Sequence, residues 1–358
     1  MSTQRHRDGI QGDVISGRME FGVGFVTSSL VRSLMVFTLV LTVLLPAAAQ
    51  GPEGYGAPHL FALPTATTTR QFGMGGVSTC VQDIGFPNPA FAGMLSGSQA
   101  GIRMSCTEFD NDGMKLTGTQ AWYATPLGEG EGMQFLGFTL DSDRGAIMTP
   151  AGALPGTVEE TDLALHYGRR LSERWLVGVG FSPVLETETR LLNPADGSVL
   201  SFSRSEAQLG GRVGALYQMD SDGFVGFVFD WYTEDVRFQA PPMPAPQTFD
   251  FTSTEWALGV SRRLADNVIG AIEWMELKSE DGALRSKTEG LHFGVEVEAT
   301  PGVAVRAGSN DGNLSLGAGY SRDDWVVNYA YIKDWNEDAV GAAFGDSDTH
   351  QLEIGGYW

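Results

Sequence analysis

Thr349–Trp358 reads T-H-Q-L-E-I-G-G-Y-W. In an extended strand, successive side chains point to opposite faces. His350, Leu352, Ile354, Gly356 and Trp358 then share one face. Gln351, Glu353, Gly355 and Tyr357 share the other. One face is largely apolar, the other carries a charge and an amide, and the stretch stops on an aromatic ring. A strand that closes a barrel in a bacterial outer membrane has this form, with its last ring in the interfacial girdle.

The preceding chain repeats the pattern. Alternating stretches separated by turn residues predict strands over 99–107, 114–125, 132–142, 158–171, 174–190, 197–218, 223–239, 249–264, 267–278, 287–299, 303–309, 313–321, 324–334 and 346–358. That is fourteen, an even number. One set of connections is short, such as Leu171–Arg174, Ala265–Asn267 and Thr300–Gly302. The other set is mostly longer, notably Asp143–Val158, Ala240–Thr248 and Asn336–Gly345, with Asn310–Asn313 as a tight hairpin. Short periplasmic turns opposite longer outer loops are the habit of outer-membrane barrels. The expected fold is therefore an all-β, 14-stranded antiparallel transmembrane barrel over 99–358. Aromatic residues beside the short turns (Trp122, Tyr167, Trp175, Tyr217, Phe224, Tyr320, Trp325 and Trp358) are expected to form the periplasmic girdle. Trp231, Tyr232, Trp274, Tyr331 and Trp335 are expected near the longer loops.

Bulk composition agrees. Formal charge is −21, with 44 acidic and 23 basic residues, which argues against a nucleic-acid partner. Glycine supplies 47 of 358 residues, well above the usual roughly 7%. Mean hydropathy is −0.08, too low for a polytopic helical membrane protein but compatible with a barrel whose inner face is polar.

Leu34–Leu45 is a short apolar run preceded by Arg32 and followed by Pro46-Ala47-Ala48-Ala49-Gln50. Basic flank, apolar core and A-x-A site predict a secretory signal peptide over 1–49 with an overlong basic region, translation starting at Met1 or Met19. Export would place the chain in the outer membrane of a Gram-negative-type bacterium. In that oxidising route Cys80 and Cys106 have two readings. One is a disulfide closing a loop of roughly 25 residues, stabilising by about 3 kcal/mol; the other is two unbridged buried thiols.

The 50–98 segment lacks strand alternation and reads as a plug. Within it, Arg70, Phe72-Gly73-Met74-Gly75-Gly76, Asp83 and Asn88-Pro89-Ala90 followed by Gly93 resemble the N-terminal segment of the FadL-like outer-membrane superfamily. That group includes long-chain fatty-acid transporters and the PorV-like proteins of type IX secretion. The resemblance covers about 30 residues, Thr67–Leu95. Before N-P-A such proteins usually carry an acidic, alanine-rich stretch; this chain has Ile84-Gly85-Phe86-Pro87 instead. The resemblance implies a hatch inside the barrel, with Phe72, Met74, Phe86, Phe91 and Met94 as candidates for contact with an apolar ligand. Glycine suits such a hatch because its backbone packs closely against a wall, and Asn-Pro fixes a turn.

No nucleophile, metal or phosphate motif is present: G-x-S-x-G, C-x-x-C, H-E-x-x-H and P-loop patterns are all missing. No enzyme, cofactor or metal is expected. Strand parity assigns Arg103, Asp162, His166, Arg212, Glu255, Glu273, His292, Glu296, Glu298, Arg306, Asn328 and Glu353 to the lumen, where charges of both signs would tie plug to wall. The resemblance leaves two functions open. One is passive uptake of hydrophobic small molecules through a hatch-gated barrel, with a sideways exit where a proline breaks the wall at Pro183. The alternative is a PorV-like accessory or shuttle barrel that binds secretion-system proteins at its rim. Outer-membrane lipid is a partner in both.

Overall fold

The computed structural model describes residues 67–358 apart from 84, 86, 111–114, 143–144, 150–151, 194–197, 221, 240–244, 246, 282–283 and 335–345. The expected leader, Phe86 and Trp335 lie outside the described residues, as does most of the loop after Asp110. A single-turn helix α1 (Thr69–Phe72) and a 3-10 turn (Pro89–Met94) come first. Fifteen strands follow among the described residues: β1 Gln99–Phe109, β2 Lys115–Gly128, β3 Glu131–Ser142, β4 Gly145–Thr149, β5 Gly152–Arg170, β6 Trp175–Leu192, β7 Val199–Asp220 and β8 Gly223–Gln239. Then come β9 Gln247–Ala265, β10 Val268–Asp281, β11 Leu284–Thr300, β12 Val303–Asn310, β13 Asn313–Arg322, β14 Trp325–Lys333 and β15 Ser347–Tyr357.

Each wall strand pairs antiparallel with its neighbours, β1 also pairs with β15, and β3 pairs with β5 across the short β4. The wall is thus a closed cylinder of fourteen strands, and closure leaves no sheet edge within the membrane. β4 is the one strand the sequence does not announce. It folds back on β5 as a hairpin, Gly145 opposite Gly156, in the loop expected over 143–158.

Alternation fixes which way each strand faces. Along β15 Thr349, Gln351 and Glu353 are buried inside, while His350, Leu352 and Ile354 are exposed outside. The same parity holds on β1, where Arg103, Ser105 and Thr107 point in and Ile102 and Met104 point out. A slip of one residue would turn a buried glutamate into lipid, so register is strongly specified. Asp311 and Gly312 both adopt positive φ, 47° and 97°. That is the type I′ geometry expected of a two-residue hairpin, as the Asn310–Asn313 reading anticipated.

Outward positions form an apolar band. It starts at Trp325, Tyr320, Trp175 and Trp358, which are exposed beside the short turns. It ends where outward residues become charged, at Glu108, Lys115, Glu159, Glu289, Lys333 and Asp348. Roughly ten tilted residues separate the two rings, which gives a band of about 25 Å.

Two expected girdle aromatics are inside instead. Trp122 is 3% exposed and lies over Gly85 and Gly101, whose missing Cβ atoms make room for its indole. Phe224 packs inward, 6.3 Å from the ring of Phe91. In both cases strand parity, rather than nearness to a turn, decides the face. Glu298 also departs from expectation: it is exposed at the short-turn rim, accepting from the Gly302 amide at 3.1 Å.

Candidate functional site: the hatch and its lumen

The hatch begins with a capping box. Thr68 Oγ1 accepts from the Gln71 amide (3.2 Å), and Gln71 Oε1 accepts from the Thr68 amide (3.1 Å). Two otherwise orphaned donors of a one-turn helix are satisfied this way. The amide of the Gln71 side chain then donates to Val81 O at 2.6 Å, folding the next ten residues back on the helix. Gly75 and Gly76 take φ of 80° and 88°, open to glycine at little cost.

Glycines of the wall make room for the hatch backbone. A Cβ on Gly294 would lie 2.3 Å from Met74 O, and one on Gly226 2.2 Å from Thr79 O. Gly168 and Gly178 face Pro89 in the same way, Gly132 faces Ala92, and Gly317 faces Gly73. These glycines sit at inward positions on β3, β5, β6, β8, β11 and β13, and so clear a track for the hatch backbone round the barrel. The sequence shows them only as small residues at lumen parity.

Polar seams lock the hatch. Glu273 of β10 accepts four donors from it: Ser78 N (3.0 Å), Ser78 Oγ (3.1 Å), Thr79 N (2.7 Å) and Thr79 Oγ1 (2.5 Å). Arg70 donates to both oxygens of Glu296 at 2.9 and 2.7 Å, and Glu296 also accepts from Arg306 at 2.6 Å. Arg306 continues to Asn328 (3.0 Å), and Asn328 to Glu353 (3.1 Å), which Arg103 engages from the other side. On the opposite wall Arg212 forks onto Asp230 and donates to Pro87 O at 3.0 Å. Asn88 accepts from the Ala90 amide at 3.0 Å, capping the 3-10 turn, and donates to Thr79 O at 2.8 Å. Buried charges with such geometry are retained because removing one partner strands the other. Burial and the carboxylate of Glu353 raise the pKa of Asp83 to about 6, against the opposing pull of Arg70.

The expected lumen residues Arg103, His166, Arg212, Glu273, His292, Glu296, Arg306 and Glu353 all face inward. Most of them are buried, and Arg212 is partly so. The expected ligand contacts behave differently. Phe72 packs on Ala330 and Ile332; Met74 packs with Val77, Cys80, Val81 and Ala271. Phe91 joins Ala90, Ala92, Ala124, Leu176 and Leu216, with Met94 against that cluster. These side chains pack the hatch onto its wall. Cys80 and Cys106 are not bridged: Cys80 is buried in the hatch, while Cys106 occupies an outward register position on β1, so the wall separates them.

Above the hatch, among the described residues, the β6–β7 ladder is interrupted. β6 and β7 pair from Trp175–Tyr217 up to Ser182–Gly210, and again from Glu186–Glu206, with no pairs at Pro183, Val184 and Leu185. The β5–β6 register shifts at the same level, from Leu163–Val184 to Leu165–Phe181. Proline lacks the amide that the ladder needs. Pro126 and Pro155 also lie in strands, but their ladders stay paired at those residues.

Solved structures of hydrocarbon channels superpose on this barrel over most of its length. This chain has their fold. The toluene transporter TbuX of Ralstonia pickettii superposes with a TM-score of 0.57 at 13% identity, over 80% of this chain and 97% of that one. A Pseudomonas aeruginosa FadL homologue gives 0.58 at 13% identity, over 81% and 98%. The monoaromatic hydrocarbon channel CymD gives 0.55 at 14%, over 80% and 96%. No protein-family model matches the sequence, and no curated protein does. The FadL-like resemblance read from the hatch motif is thus matched by the whole barrel at the level of fold, and the PorV-like branch draws no support from these neighbours.

Proposed function

We propose that this protein is an outer-membrane channel for passive uptake of hydrophobic small molecules. The observation that carries the reading is the ladder gap at Pro183–Leu185 in a barrel otherwise stoppered by its hatch. The outward face of β6 changes there from Val179 and Phe181 to Glu186, Glu188 and Arg190. That change sets the gap near the outer edge of the apolar band. An apolar molecule entering from outside meets a hatch pinned by Glu273 and Glu296, while a sideways step through the gap leads to lipid, where it is favoured by burial of its surface.

A staple tests this. Leu185→Cys with Ala207→Cys occupies facing positions across the gap, by interpolation of the flanking register. In outer membranes lacking other hydrocarbon channels, toluene uptake is expected to fall severalfold when the pair is oxidised and to recover on reduction. Unaltered uptake in the oxidised form would refute the lateral route. Uptake no faster than in membranes without the protein would refute the channel reading itself.

A further inference from the structure

We infer that the lumen admits uncharged apolar molecules and turns away anionic amphiphiles such as fatty carboxylates, an inference that rests on the uptake reading above. An anion crossing a narrow, poorly hydrated path needs a cation along it, because an unpaired charge away from water is costly. The chain has four lysines, Lys115, Lys278, Lys287 and Lys333. All four hold outward positions and are about half-exposed. Lys115 pairs with Glu108 on the outer face, and Lys278 and Lys287 both engage Glu276 there.

The lumen therefore depends on arginine. Among the described residues, four guanidiniums face the interior, and each is already bonded to a carboxylate. Arg70 and Arg306 share Glu296, Arg103 holds Glu353, and Arg212 holds Asp230. Arg103 and Arg306 are 1% and 5% exposed, so an incoming carboxylate would have to displace a wall residue to reach them. Glu160, Asp162 and Glu255 face the interior as well, on the β5–β9 side, where Arg212 is the cation. Ionised, these groups repel an anion; protonated, they still bring it no counter-charge. A neutral hydrocarbon meets neither difficulty.

The experiment uses matched twelve-carbon probes, dodecanol and dodecanoate, at pH 8 in outer membranes lacking other such channels. Protein-dependent uptake of dodecanol is expected to exceed that of dodecanoate by at least about tenfold, the scale on which a one-signed cleft changes ion entry. Equal rates, or faster dodecanoate, would overturn the inference while leaving the channel reading intact. Uptake of neither would overturn the channel reading, and this one with it. A double variant, Asp162→Asn with Glu255→Gln, removes negative charge and leaves the Arg212–Asp230 pair in place. Its dodecanoate-to-dodecanol ratio is expected to rise at least fivefold in protein that keeps its heat-modifiable gel mobility. An unmoved ratio in folded protein would place selectivity elsewhere and overturn the assignment to these residues.

Discussion

Glu273 is a single carboxylate that receives two backbone amides and two hydroxyls of the hatch. Glu273→Ala leaves those donors without an acceptor in a buried site, a loss of about 3–5 kcal/mol in hatch docking. Hydrogen exchange at Ser78 and Thr79 is the direct measurement. Protection should drop there by two orders of magnitude or more while the wall strands stay protected; unchanged protection would show that the seam is not what holds the hatch. Asp83 makes the other seam, where Arg70 and Glu353 act on it, sensitive to pH. Its pKa in the folded chain, about 6, lies above the ordinary 3.8, so ionising it opposes docking. The hatch is then tightest below pH 4 and loosens as pH rises through 6, as far as this group governs it. Tryptic cleavage at Arg70 should be slower at pH 5.5 than at pH 7.5, and Asp83→Asn should narrow that difference. A variant whose cleavage keeps the wild-type pH dependence would clear Asp83 of the effect.

Strands and hatch meet at glycines, and the prediction at that scale is steric. Gly226→Val puts a branched side chain where Thr79 O already stands 2.2 Å from the position of a Cβ. Backbone on both sides leaves no flexible atom to move, so the hatch must lift or the strand must bulge. Faster proteolysis of the 67–98 segment is expected, with the barrel still resistant. Gly128 has open space around its missing Cβ, so Gly128→Ala serves as the control and should leave cleavage unchanged. The strands themselves were legible in the sequence because alternation of period two survives wherever one side meets lipid. β4 was not, since a two-strand flap beyond the band is free of that constraint. Trp122 and Phe224 lie beside short turns as girdle residues do, yet their parity with Gln120 and Gly226 sends them inward.

At the scale of the whole molecule, closure of the β1–β15 and β3–β5 seams gives a cylinder that detergent-solubilised samples should keep until boiled. Unboiled protein is expected to run faster on a denaturing gel than boiled protein. Identical mobilities, together with solubility in the absence of detergent, would contradict the barrel. Amino-acid order alone determined the number of wall strands, the inward and outward faces and the hatch motif, because each is written in local periodicity or in a short pattern of glycine, asparagine and proline. Only the tertiary structure decided that Phe72, Met74 and Phe91 pack the hatch to its wall, that the two cysteines stand on opposite sides of a strand, and that every described luminal arginine already has a carboxylate. Those facts depend on which residues a closed ladder brings together across more than two hundred positions, such as Arg70 with Glu296, and a separation of that length leaves no periodic trace in the chain.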